Sequence, residues 1–182
     1  MYAARRRPQR SQATREKIVA AVRELLADGT FHETPVEEVA ARAGVSRATL
    51  YQHFGTREGL VDAMCESFDA NPALVKIRQV DDLDSFIELC VTFWSSEEQV
   101  LAQLYGAAAV DPAAAALVER QRSDRYSELR RTLRARGIDG RLVFAELALL
   151  TSFETYRELR AAGLRLRDVT ATLQALAARV AG

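Results

Sequence analysis

Two helix-start signals lie close together near the amino end, with a glycine between them. In Thr34-Pro35-Val36-Glu37, Thr34 reads as the N-cap, Pro35 as the first helical residue and Glu37 as the return arm of a capping box. The helix so begun is short, with Val36, Val39, Ala40 and Ala43 facing inward until Gly44 breaks it. Val45 then tucks in, and Ser46 caps a second short helix from Arg47 to His53. Two short helices joined by a tight turn containing glycine, with a small residue (Ala40) where they approach, read as a helix-turn-helix. That unit constrains the chain more than any other feature, because its first helix braces the second so that the second can enter a DNA groove.

The stretch Ala40-Ala41-Arg42-Ala43-Gly44-Val45-Ser46-Arg47-Ala48-Thr49-Leu50-Tyr51-Gln52-His53-Phe54 resembles the core of the tetracycline-repressor (TetR) family. Phe31 ahead of it, and Thr56-Arg57-Glu58-Gly59-Leu60 behind it, fit the same pattern, and the resemblance covers residues 14–65. Two positions depart from it: Pro35 stands where Ser or Thr is more usual, and Gly55 fills the link after Phe54.

The residues of the second helix suit the task. Arg47 and Thr49 fall on its first turn, where an arginine can bind guanine through two atoms and a threonine methyl can meet thymine. The resemblance implies phosphate contacts from Tyr51 and His53. Thr56 and Arg57 bring a helix N-terminus and a cation to another phosphate. The candidate DNA-binding set is Thr14, Thr34, Ser46, Arg47, Ala48, Thr49, Tyr51, His53 and Arg57, whereas Leu50 and Phe54 read as core.

Composition agrees with an all-α chain. Ala, Leu, Arg and Glu dominate and long strand-like alternations are absent. Net charge is zero, yet residues 1–60 carry ten Lys/Arg against seven Asp/Glu and residues 61–182 carry the opposite imbalance. The excess gathers in Arg5, Arg6, Arg7, Arg10 and Arg15, a basic arm of a kind that can hold phosphates or stand as a solvated tail. Ser11 or Thr14 is expected to cap the first helix and Asp28-Gly29 to end it. The expected organisation is a flexible arm at 1–11, a three-helix DNA-binding domain at 12–55, and a ligand-binding and dimerisation domain at 56–182, with about nine helices in all.

In the larger domain, Asn71-Pro72 ends a fourth helix, Asp81 to Asp84 open a fifth, and Ser95-Ser96-Glu97-Glu98 reads as a capping box for a sixth. Asp111-Pro112 begins a seventh that runs to Arg136. Between Leu142 and Phe153 almost every residue is apolar, and Glu146 is the only charge. A helix apolar all round must be covered all round. The last helix repeats Val169, Leu173, Leu176 and Val180, a narrow stripe of the coiled-coil kind. Leu142, Leu149, Val169, Leu173, Leu176 and Val180 are therefore the expected interface of a homodimer, as the resemblance also implies. The candidate ligand-binding set is Phe93, Trp94, Leu101, Tyr105, Tyr126, Glu146, Phe153 and Tyr156, in which Trp94, Tyr105 and Tyr156 each bring a polar handle.

Other classes find no support in the residues. Cys65 and Cys90 lack CxxC or Cys/His spacing and read as reduced thiols, and His32 and His53 have no clustered acids, so neither metal nor cofactor is expected. Paired catalytic carboxylates, a nucleophile motif and a glycine-rich phosphate loop are all missing, which argues against an enzyme. The longest charge-free run, Gln99 to Val110, is too short to span a bilayer, so a cytoplasmic protein with no membrane partner is expected. The expected function is a repressor that binds a palindromic operator in double-stranded DNA and leaves it on binding a small, largely apolar effector. A ligand-independent architectural or partner-recruiting DNA-binding protein is the alternative.

Overall fold

The computed structural model describes residues 3–28 and 35–182, apart from the side chains of residues 3–10 and of Arg57, Glu58, Val61 and Cys65. Those residues form eleven helices and no strand. They are α1 (Ala3–Ala27), α2 (Val36–Arg42), α3 (Arg47–Phe54), α4 (Arg57–Asp69), α5 (Pro72–Ile77), α6 (Leu83–Ser96), α7 (Glu98–Ala107), α8 (Pro112–Ala135), α9 (Arg141–Leu150), α10 (Phe153–Ala161) and α11 (Leu166–Ala181). The described residues cluster into two compact units. One runs up to Phe68 and adds Gln99–Glu119; the other comprises Asp69–Glu98 and Arg120–Gly182.

In the first unit α1 packs on α2, and α2 on α3. Ile18, Ala21, Val22, Leu25 and Leu26 make one buried stripe along α1, meeting a core to which Val39, Ala40, Leu50, Leu60 and Met64 also contribute. Each large aliphatic side chain so buried contributes about 1.5–3 kcal/mol. Polar contacts join α1 to α4: Arg15 pairs with Glu66 at 2.5 Å, and Arg23 donates to the Ser67 hydroxyl at 3.2 Å. The unit also takes in α7 from Gln99 onward, whose Gln99 amide donates to the Ala27 carbonyl at 3.4 Å. The first unit runs beyond residue 55 and takes Leu60 and Met64 of α4 into its core.

The link between α3 and α4 is tight. Gly55 closes α3 at φ 67°, and the Thr56 hydroxyl accepts the Gly59 N–H at 3.2 Å to cap α4. A Cβ on Gly59 would stand 1.9 Å from the Phe54 carbonyl oxygen, so the turn closes only around a hydrogen at that position.

In the second unit α6 is the central helix, packing against α5, α10 and α11, and α9 packs on α10 and α11. Phe86, Ile87, Cys90, Val91, Phe93 and Trp94 are all buried on α6. The Ser85 N–H and hydroxyl hold the Asp82 carboxyl below its usual range, and its oxygen caps the helix at 2.7 Å. Two arginines of α8 fasten helix ends. Arg131 donates to the Ile77 and Val80 carbonyls at 2.7 and 2.9 Å and pairs with Asp81 and Glu128. Arg125 donates to the Ala148 carbonyl at 2.8 Å and the Thr151 hydroxyl at 2.9 Å. A cation at the carbonyl end of a helix is favoured by the helix dipole as well as by the bonds themselves.

Several elements differ from the expected ones. Helix α1 starts at Ala3, ahead of the expected caps at Ser11 or Thr14. Pro35 occupies the cap position of α2 with ψ 152° and no side-chain cap bond, while Thr34 lies outside the described residues. The residues Asn71-Pro72 end one helix and start another: Asn71 Oδ1 accepts the Ala73 N–H at 3.0 Å and opens the short α5. Ser95 to Glu98 do not form a capping box, since the Ser96 hydroxyl donates backwards to the Phe93 carbonyl at 3.0 Å and Glu97 terminates α6. The apolar run from Leu142 to Phe153 is two helices rather than one. Thr151 turns its hydroxyl onto the Leu147 carbonyl, and Ser152 caps α10 through the Thr155 N–H at 3.1 Å. Those two hydroxyl residues, the first of them held by Arg125, outweigh the apolar pattern around them.

Two measurements check this packing. Burial pushes the Cys90 thiol up to about 12, with Arg125 pulling the other way. Peptide mapping after iodoacetamide treatment of the native protein at mildly alkaline pH should therefore find Cys90 unlabelled, and labelled only after denaturation. Replacing Gly59 with Ala should lower the melting temperature sharply. Gly106→Ala, on α7 with nothing within 4 Å of the added Cβ, should leave it unchanged or raise it, by about 0.5–1 kcal/mol in stability. Equal effects from the two substitutions would contradict the close approach at Phe54.

Candidate nucleic-acid interface

The outer face of α3 is built by the turn that precedes it. Gly44 adopts φ 65°, the left-handed conformation that closes a helix. The Val45 N–H reaches the Ala40 carbonyl at 2.9 Å and the Gly44 N–H reaches the Ala41 carbonyl at 3.0 Å, the paired bonds of a Schellman motif. Ser46 then takes an extended conformation and its Oγ accepts the Thr49 N–H at 3.0 Å, a cap worth about 1 kcal/mol. The same hydroxyl shares a 2.8 Å hydrogen bond with Thr49 Oγ1.

The spacing of α3 divides its residues by face. Leu50 and Phe54, one turn apart, are buried, and the Arg15 guanidinium lies 4.8 Å from the centre of the Phe54 ring. Arg47, Ala48, Tyr51 and Gln52 are exposed, with Thr49 and His53 half-buried. The helix is therefore anchored by two apolar side chains and offers a cation, a methyl, a phenol and an amide outward. Arg47 is held from two sides: its guanidinium stacks 5.4 Å from the Tyr51 ring centre, and Nη1 lies 2.5 Å from Glu37 Oε1 of α2. The Glu37 carboxylate, expected to return to the cap of its own helix, reaches across the turn to the next one. Beside this face, Arg42 at the end of α2 pairs with Asp28 at 2.7 Å; that carboxylate raises the arginine's pKa while burial opposes the shift.

Of the nine candidate DNA-binding residues, the structure brings Ser46, Arg47, Ala48, Thr49, Tyr51 and His53 onto one short helix and its cap. Thr14 is half-buried on α1. Thr34 and the side chain of Arg57 lie outside the described residues, as do Phe31, His32 and the side chains of Arg5, Arg6, Arg7, Arg10 and Cys65. Sequence reasoning placed Glu37 in a cap and so missed its contact with Arg47; the signal was an acid in the first turn of the helix before a cap-proximal arginine.

The candidate ligand-binding residues are divided between the two units. Phe93, Trp94, Phe153 and Tyr156 pack together in the second unit, with Trp94 and Phe153 ring centres 5.6 Å apart and Phe153 stacked on Tyr156 at 6.0 Å. Their polar handles are engaged internally: Trp94 Nε1 donates to the Thr151 carbonyl at 3.3 Å, and the Tyr156 hydroxyl donates to Glu98 at 2.7 Å. Burial and the Glu98 carboxylate push the Tyr156 phenol up to about 12. Tyr126 is half-buried with its ring edge-on to Phe144 at 5.3 Å, and Glu146 is exposed on α9. Leu101 and Tyr105 belong to the other unit. The sequence pattern did not single out two polar groups of α8. Both amide atoms of Gln121 and the hydroxyl of the fully buried Thr132 have no hydrogen-bond partner among the described residues.

The expected dimer stripe also divides. Val169 and Leu173 are buried where α11 packs on α6 and α9, so they serve the core of the chain itself. Leu142 and Leu149 are 70% and 66% exposed on α9, Leu176 is exposed on α11, and Val180 is half-exposed. No helix among the described residues is long and apolar enough to cross a membrane.

Comparison with known proteins points the same way. Residues 18–64 match the model of bacterial regulatory proteins of the tetR family. The HTH-type transcriptional regulator UidR of Escherichia coli (strain K12) is 30% identical over 81 residues, which span 44% of this chain and 41% of UidR. YvkB of Bacillus subtilis (strain 168), an HTH-type transcriptional regulator, is 30% identical over 70 residues, 38% of this chain and 37% of that one. These matches thus cover less than half of the relatives' own length. The fold as a whole resembles that of Salmonella enterica GusR, with a TM-score of 0.70 at 21% identity over 92% of this chain and 95% of that one. A tetR-family regulator from Mesorhizobium loti follows at 0.59 and 19%, over 93% and 97%. Residues 18–64 are thus similar to the tetR family of bacterial regulatory proteins, and the fold as a whole is similar to that of a solved tetR-family regulator.

Proposed function

We propose that the protein is a dimeric transcriptional repressor that reads a palindromic operator through α3 and leaves it when a small molecule binds the second unit. The observation that carries the reading is the outward face of α3. Arg47, Thr49 and Tyr51 stand on a helix whose opposite face, Leu50 and Phe54, is buried. The helix N-terminus points the first-turn side chains at base edges, while Tyr51, His53 and Arg57 serve the phosphates. A two-fold dimer would set two such helices in successive major grooves, about 34 Å apart. The place of action on this reading is the bacterial cytoplasm.

Support for a dimer comes from Leu142 and Leu149. They lie seven residues apart on one face of α9 and expose large apolar surface that water disfavours. Leu176 and Val180 extend that surface onto α11, giving two helices from each subunit. Support for an effector comes from α8, where Gln121, Arg125 and Thr132 share one face at helical spacing. Buried polar atoms without partners cost about 1–3 kcal/mol each, a penalty that a ligand with matching groups would remove. The aromatic cluster of Phe93, Trp94, Phe153 and Tyr156, with Tyr126, would supply the apolar contacts. By mass action, a ligand favouring one spacing of the two reading helices shifts the population away from the operator.

Two sets of substitutions test the reading. Arg47→Ala and Tyr51→Ala should each weaken operator binding by about tenfold or more, with an unchanged melting temperature; operator affinity equal to wild type in both would overturn the contact assignment. Leu142→Asp combined with Leu149→Asp should sediment as a folded monomer and lose binding to an inverted repeat. A dimer surviving that pair would move the interface elsewhere.

A further inference from the structure

We infer that Glu37, on the brace helix, is the positioning residue that aims Arg47 at base edges, and so sets how well the protein discriminates its operator from other DNA. The inference rests on the reading of α3 as the DNA-contacting helix. Arg47 has a long, flexible stem and a guanidinium that is 63% exposed. Left to itself beside a duplex, such a side chain is drawn to the nearest phosphate, where it adds affinity for every sequence and information about none. Two contacts restrain it. The Tyr51 ring one turn along α3 supports the face of the guanidinium, and Glu37 Oε1 holds Nη1 at 2.5 Å from across the turn. A carboxylate engaging one corner of the guanidinium leaves donors for a bidentate contact to guanine.

The two partners do different work. Tyr51 restrains tilt, whereas Glu37 carries a negative charge and repels the phosphates toward which Arg47 would otherwise swing. In the free protein this pair is open to water and screened. Once a duplex excludes water from the turn, the same geometry acts in a lower dielectric and the restraint strengthens. The turn sets the two helices at the angle that lets the groups meet: the Schellman bonds at Gly44 and Val45 set α2 against α3, and each side chain leaves the first turn of its own helix.

The test compares full-length wild type with Glu37→Gln, which keeps size and hydrogen-bonding capacity and removes the charge. Dissociation constants are measured by fluorescence anisotropy on the site selected by the wild type and on a scrambled duplex of equal length, across a salt series. The expected result for Glu37→Gln is tighter binding to the scrambled duplex, a discrimination ratio lower by about five- to tenfold, and a salt slope on that duplex steeper by about 0.9, the signature of one added phosphate contact. In an Arg47→Ala background the same substitution should change neither ratio nor slope, because the group it positions is gone. A merely structural role would lower affinity for both duplexes alike and leave the slope where it was. An unchanged ratio and slope in Glu37→Gln, with wild type still selecting a site, overturns the inference alone; a wild type that selects no site overturns the reading of α3 and the inference with it.

Discussion

The angle between α2 and α3 depends on one turn, in which the Val45 N–H reaches back to the Ala40 carbonyl while Gly44 takes a left-handed conformation. A residue with a Cβ is disfavoured there, and without that conformation the chain would continue α2 or leave it at another angle. Everything the first unit offers outward follows. Ser46 arrives in position to cap α3, Leu50 and Phe54 turn inward, and Arg47 meets Glu37. A second tight point, Gly59 against the Phe54 carbonyl, seats α4 against the far end of α3. Helix α3 is thus fixed at both ends by backbone geometry and in the middle by burial, which leaves its outward side chains independent of the forces that hold it.

The second unit solves a different problem with the same economy. Its α6 is buried along most of its length, and the helices around it end where arginines of α8 collect their carbonyls. Arg125 and Arg131 are therefore fasteners, although a run of arginines on α8 resembles a solvated face. On the same helix, Gln121 and Thr132 keep buried polar atoms without partners among the described residues. A helix that satisfies some of its buried polar groups and not others combines a structural duty with an unfilled one, and this contrast motivates the assignment of an effector to this unit.

How much of this was legible in the sequence depended on how local the governing interaction is. Caps at Ser46, Asp82 and Asp111, and the glycine turn, are decided within a few residues, and the structure has them where the pattern placed them. The split of the Leu142–Phe153 run was hidden because an apolar pattern outvotes two hydroxyls, until Arg125, distant in sequence, holds Thr151. The short α5 was masked by its own start signal, since Asn71-Pro72 ends one helix as it opens the next. Among the candidate site residues, the α3 set stands together because one helix carries it. The ligand set was assembled by residue type rather than by position, and its Leu101 and Tyr105 belong to a different unit from the rest. Val169 and Leu173 show the same limit: a stripe of apolar residues marks a buried face without saying whether the cover is the chain itself or a partner.

The central claim is that α3 reads sequence as one half of a symmetric pair. Selection of binding sites from random duplex DNA by the purified protein, at a fixed salt concentration, tests it most directly. The account predicts enrichment of an inverted repeat whose half-sites keep one spacing. Enrichment of a single unrepeated half-site would contradict the symmetric pair, and no enrichment at all would contradict the assignment of α3 as a reader of sequence.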